Sequence, residues 1–193
     1  MTTSQSTLSP EIRRPLVRKS VWIACAVMLV LGLGTTAAIR MATVDRGDPE
    51  LAAYQAKAKP IVQAHNGLAA KWNEFVPRFN AVDEADVVTS VAVYEDGTLL
   101  TKNLVRDSQA TMSQWRKLVP PAAAAESHAL ALRALELTQD GYIAYEDYFA
   151  SAIVFSGITA YGPTDPNLAV TGNAKLREAA ELWRQAQDAA ASR

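Results

Sequence analysis

The stretch Leu51–Phe79, LAAYQAKAKPIVQAHNGLAAKWNEFVPRF, decides the fold. Its seam residues fall at Leu51, Tyr54, Ala58, Ile61, His65, Leu68, Trp72, Phe75 and Phe79, separated alternately by three and four residues. Such a seam, sustained over about four heptads, marks a helix that packs lengthwise on partner helices. Asp48-Pro49, just ahead of it, supplies an N-cap and a first-turn proline. Pro60 lacks an amide proton and predicts a kink, while Pro77 predicts an end or a second bend.

Beyond this helix, residues 81–86 (AVDEAD) read as a connection whose acids suit the positive end of a following helix. A metal site made of Asp83, Glu84 and Asp86 is disfavoured, because the segment lacks the alternating acids and glycine of a calcium loop. Residues 87–119 admit two readings. As a helix they give the seam Val91, Tyr94, Thr98, Thr101, Val105, Ser108, Met112, Trp115 and Val119. As strands, DVVTSVAVY and TLLTKNLV flank Asp96-Gly97, a hairpin signal. The helix is preferred, since an isolated two-stranded hairpin is marginal, and a helical break at Gly97 is the compromise.

Pro120-Pro121 stops that element and starts the next. From Ala122 to Phe155 the sequence is a strong helix former with the seam His128, Ala131, Leu135, Thr138, Tyr142, Tyr145, Phe149 and Ala152. Leu130, Leu132, Leu137 and Ile143 widen its apolar face, so this helix should touch two neighbours. GITAYGPTDP (157–166) reads as a loop, and Asp165-Pro166 repeats the cap pattern. A last helix, about 166–190, carries Leu176, Ala179, Trp183, Ala186 and Ala190 on one seam, with Gly172 as a soft spot. Short loops place successive helices antiparallel. Trp72 and Trp115 then belong toward opposite ends of the bundle.

Toward the amino terminus lies the apolar run Val21–Ile39, VWIACAVMLVLGLGTTAAI, which contains no charged side chain. As a helix it would reach about 28 Å, close to the roughly 30 Å hydrocarbon core of a bilayer. Arg13, Arg14, Arg18 and Lys19 precede it, whereas Asp45, Asp48 and Glu50 follow soon after Arg40. The positive-inside tendency therefore puts the amino terminus in the cytoplasm. A cleaved signal ending near Thr36-Ala37-Ala38 is the competing reading, but the basic region and the apolar run are both long for one. Residues 1–19 read as a basic cytoplasmic tail, 20–40 as a transmembrane anchor and 41–193 as an extracytoplasmic domain. The expected architecture is all-α: one N-terminal transmembrane helix followed by an antiparallel, coiled-coil-like four-helix bundle.

Function is less legible. Cys25, inside the apolar run, is the only cysteine, so residues 41–193 can form no disulfide and hold no thiol nucleophile. Five of the 19 basic residues and one of the 20 acidic residues precede residue 41, which leaves the remainder at −5. That balance argues against nucleic acid as a partner. There is no G-x-S-x-G elbow, no C-x-x-C-H haem attachment and no Glu-x-x-His pair of di-iron bundles, so no catalytic residue and no cofactor are expected. The adjacent acids Glu95-Asp96 and Glu146-Asp147 point in different directions on a helix and do not form a dyad. Tyr142, Tyr145 and Tyr148 have the spacing of core and boundary residues.

His65 and His128, the only histidines, both fall on seams and are the candidate ligands if a haem or metal is held between helices. Their different heights along their helices weigh against that, and a buried structural role is preferred. The expectation is a membrane-tethered structural or interaction module, an accessory subunit or scaffold. Its partner would be another membrane or envelope protein or a second copy of itself. The alternative is a small-ligand or haem- or metal-binding bundle.

Overall fold

In a computed structural model the chain is described over residues 48–83, 86–154 and 161–192. The expected cytoplasmic tail, the apolar run and Cys25 lie outside the described residues. Among the described residues no helix is long and apolar enough to cross a membrane.

Helix α1 spans Pro49–Asn80. The Asp48 carboxylate accepts from the amides of Glu50 (2.8 Å) and Leu51 (3.1 Å), leaving Pro49 where a missing amide proton costs nothing. The helix runs through both Pro60 and Pro77, and both prolines are exposed. Pro77 therefore does not end the helix, a correction to one of the two expectations for it. The seam is the core face: Ala58, Ile61, His65, Leu68, Trp72 and Phe75 are buried. Gly67 lies on the outer side, with nothing within 4 Å of where a Cβ would sit. Gly67→Ala should therefore stabilise the fold by about 0.5–1 kcal/mol, through helix propensity alone. A rise in the urea midpoint at unchanged m-value would show it.

Helix α2, Val87–Trp115, opens on Asp86, whose carboxylate accepts from the Thr89 amide (3.1 Å) and hydroxyl (2.6 Å). These bonds hold the Asp86 carboxyl below the usual range. The hairpin reading and the break at Gly97 both fail, because the helix is continuous through Asp96-Gly97. Gly97 is there for a neighbour: a Cβ would lie 2.8 Å from the Phe149 ring. The core face keeps the expected seam at Tyr94, Thr101, Ser108, Met112 and Trp115 but takes Ser90, Gly97 and Leu104 in place of Val91, Thr98 and Val105. Ser90, Tyr94, Gly97, Thr101, Leu104, Ser108, Met112 and Trp115 are buried, whereas Val119 lies past the helix end and is 88% exposed.

A single 3-10 turn, Ala122–Ala124, leads into α3, Ala125–Ala150. The sequence reading carried this helix on to residue 155. It ends instead at Ala150, and the Ser151 hydroxyl donates to the Tyr148 carbonyl (2.9 Å). Ala152–Val154 (β1) then pairs antiparallel with Tyr161–Pro163 (β2), in the register Ile153 opposite Gly162. β-Branched Ile153 and Val154 favour the extended state once a partner is present. The Thr164 amide extends the pairing by donating to the Ser151 carbonyl (3.2 Å). Helix α4, Asn167–Ala191, starts where the Asp165 carboxylate accepts from the Asn167 amide (2.9 Å).

Cross-helix contacts establish the topology. Arg78–Asp96 (2.8 Å) and Lys71–Asp107 (3.7 Å) tie α1 to α2, with one number rising as the other falls. Tyr94 beside Tyr148 and Trp115 on His128 do the same for α2 and α3. Tyr145–Asn173 (2.6 Å) and Asp140–Lys175 (3.9 Å) do so for α3 and α4. Each successive pair is antiparallel, so the described region is an up-down-up-down four-helix bundle, all-α as expected. Helices α3 and α4 approach closely where two glycines face each other: a Cβ on Gly172 would lie 3.2 Å from the Gly141 carbonyl oxygen. The core divides in two, with Trp72 in one cluster and Trp115 in the other. Trp183 packs against the second.

Candidate functional site: two histidines and an aromatic layer

His65 projects from the middle of α1 and is 2% exposed. Its ring meets the Trp183 indole edge-on at 5.0 Å, and its Nδ1 is buried without a hydrogen-bond partner. Burial disfavours the imidazolium and lowers its pKa to about 4, so the ring is neutral at ordinary pH.

His128, near the start of α3, is held differently. Its Nδ1 lies 2.9 Å from the Tyr54 hydroxyl, and its ring stacks on Trp115 at 5.2 Å with 15° between planes. The Trp115 indole also donates to the His128 carbonyl (3.2 Å). Partial burial lowers the His128 pKa, and burial pushes the Tyr54 phenol up to about 12.

Trp183 and Trp115 touch at 6.1 Å, so the contacts run His65–Trp183–Trp115–His128–Tyr54. The two histidines belong to the same end of the core, but two indoles stand between them along this path. Tyr54 engages Nδ1 of one imidazole and Trp183 meets the other edge-on, so each ring is set against aromatic neighbours. Among the described residues, no group of three His, Cys, Asp or Glu gathers as a metal-holding set.

The other end of the core is a layer of rings. Trp72 lies 4.5 Å from Tyr145 and 6.1 Å from Tyr142, and it also contacts Phe75 and Phe149. Tyr142, Tyr145 and Tyr148 are all buried, in keeping with their spacing. The Tyr145 hydroxyl donates to Asn173 Oδ1 (2.6 Å), joining α3 to α4 through a side chain 2% exposed.

Buried polar groups fall into two kinds. The hydroxyls of Thr101, Ser108, Thr111 and Thr138 donate to carbonyls of their own helices at 2.8–2.9 Å. Trp72 Nε1, Tyr142 Oη and Asn173 Nδ2 are buried with no partner. Sequence reading placed Trp72 and Tyr142 on core seams but gave no role to Asn173. The available signal was an amide beside Gly172 in a stretch otherwise made of Leu and Ala core positions. The adjacent acids do not converge, since Asp96 is spent on its surface pair with Arg78.

The fold and these contacts define the class of the protein as an antiparallel four-helix bundle with an aromatic core. Comparisons with family models, curated proteins and solved structures find no match for the chain.

Proposed function

We propose that the protein is a membrane-tethered structural or interaction module, held by the apolar run Val21–Ile39 with its bundle outside the cytoplasm. It would act as an accessory subunit or scaffold of a membrane complex. The observation that carries this reading is how the chemically capable side chains are used. Both histidines and the buried tyrosines are absorbed in ring packing, and the one imidazole–phenol pair, His128 with Tyr54, stacks on Trp115 with no serine or cysteine nucleophile among its contacts. The uncharged run with basic residues on its amino-terminal side supports the tether. Val88 and Leu99, on one outward face of α2, leave 81% and 63% of their surfaces exposed and offer apolar area for a partner.

Native mass spectrometry of the full-length chain, extracted from its own membrane in mild detergent, tests the proposal. A second protein at fixed stoichiometry is the expected result. A chain that never carries another protein would count against the accessory-subunit reading.

A further inference from the structure

Four rings able to carry a charge stand in series at one end of the core. Trp183 meets Trp115 at 6.1 Å, Trp115 lies flat on His128 at 5.2 Å, and His128 Nδ1 is 2.9 Å from the Tyr54 hydroxyl. The two ends, Trp183 and Tyr54, are partly exposed, whereas Trp115 between them is buried. Indole and phenol are among the side chains most readily oxidised by one electron. A phenol is the stronger proton donor of the terminal pair and an imidazole nitrogen the stronger acceptor, so the Tyr54 hydroxyl donates to Nδ1. Burial raises the Tyr54 pKa and lowers that of His128, which keeps the phenol protonated and the imidazole neutral at ordinary pH. The base that would receive the phenolic proton is therefore in place before any electron leaves.

We propose that Trp183, Trp115, His128 and Tyr54 form a one-electron relay, in which a strongly oxidising radical met at Trp183 is discharged and the oxidising equivalent is held on Tyr54. Trp183 gives one electron to the radical, which is reduced. The Trp183 radical cation takes an electron from Trp115, and Trp115 takes one from Tyr54 as the phenolic proton moves to His128 Nδ1. The chain is left with a neutral tyrosyl radical and an imidazolium, and one electron from a reductant returns the proton to the phenol. The charge does not stop at Trp115, whose N–H donates to the His128 carbonyl (3.2 Å), because an amide carbonyl is too weak a base to take the indole proton. It does not stop at Trp183 either, since the adjoining His65 is fully buried and disfavours an imidazolium. Only at Tyr54 does the departing electron leave a neutral radical, its proton held by a base already hydrogen-bonded to it.

The relay is internal to the bundle, so it stands or falls apart from any partner or tether. The full-length chain carrying Trp22→Phe, in detergent micelles, is flashed with tris(bipyridine)ruthenium(II) and a cobalt(III) quencher, which together generate a ruthenium(III) oxidant. Trp72, in the other cluster, is buried away from it. Transient absorption and electron paramagnetic resonance of freeze-quenched samples identify the radicals. An indole radical that gives way to a hydrogen-bonded tyrosyl radical is expected. Tyr54→Phe, which loses only the hydroxyl, should abolish the tyrosyl signal and leave the indole radical standing. His128→Phe keeps a ring against Trp115 and removes the base, and the same loss is expected. Melting midpoints near the parent's are checked first, and if His128→Phe does not fold, Tyr54→Phe decides alone. A tyrosyl yield unchanged in either folded variant, or an indole radical that persists in the parent, would overturn the proposal.

Discussion

Lowering the pH from 6.5 to about 4 should cost the bundle up to about 3 kcal/mol, and His65→Phe should remove most of that loss. In the unfolded chain the imidazole takes up its proton near 6.5, whereas in the folded core it does so only near 4. Between those values the unfolded state binds more protons, so stability falls as pH falls. Above the window both states are neutral and below it both are charged, and the His65 contribution is then flat. His128, whose pKa is also lowered, adds a smaller effect of the same sign because it is only partly buried. Phenylalanine retains a ring for the edge contact with Trp183 and has no nitrogen to leave unpartnered. Urea unfolding at half-unit pH steps between 7 and 4.5 reads the result, with carboxylate titration mostly still ahead. An unchanged slope in His65→Phe would show that the imidazole titrates in water rather than in the core.

Gly172→Ala should lower the melting midpoint by about 4–8 °C, which for a chain of this size is about 2 kcal/mol. A Cβ at this position would lie 2.7 Å from the Tyr145 ring and 3.2 Å from the Gly141 carbonyl oxygen. The ring has little freedom to yield, since Asn173 fixes its hydroxyl and Trp72 lies 4.5 Å from it. Overpacking of this kind costs about 1–3 kcal/mol or more, which outweighs the roughly 1 kcal/mol that alanine adds as a helix former. At Gly141 a Cβ would lie 2.8 Å from Cγ and Cδ2 of the fully buried Leu176 and 3.3 Å from the Gly172 carbonyl oxygen. Gly141→Ala should therefore destabilise as well, and the two substitutions should be non-additive because the positions touch. The contrast with the stabilising Gly67→Ala separates close approach from propensity. If all three alanines stabilised equally, the tight α3–α4 contact would be wrong.

These glycines also show where sequence reading ran short. Gly97 and Gly172 read as a helical break and a soft spot because glycine signals local weakness when its neighbours are unknown. Their purpose lies in rings from another helix, Phe149 and Tyr145, which no local pattern reveals. The seam of α1 was legible throughout, since large side chains at three-four spacing leave one way to face a core. In α2 the reading held at Tyr94, Thr101, Ser108, Met112 and Trp115 but missed Ser90 and Gly97, small interior residues at which hydrophobicity gives no cue. The end of α3 was misplaced because Ile153 and Val154 are apolar enough to continue a helix, and their strand partner, Tyr161–Pro163, is not adjacent to them in sequence. The two histidines were found by type and seam. Their separation by two indoles depends on Trp183 of α4 touching both His65 and Trp115, and Asn173 stood out only once Tyr145 was placed beside it.

The most direct test of the central claim, a bundle held outside the cytoplasm by the apolar run, is thiol labelling of the full-length chain in intact cells. Cys25 is replaced by alanine, and a single cysteine is placed at Ser192, exposed at the end of α4, or at Ser4. A membrane-impermeant maleimide should label Ser192→Cys in intact cells and Ser4→Cys only after lysis, with both chains remaining in the membrane fraction. Labelling of Ser4→Cys alone, or recovery of the chain in the soluble fraction, would contradict the account.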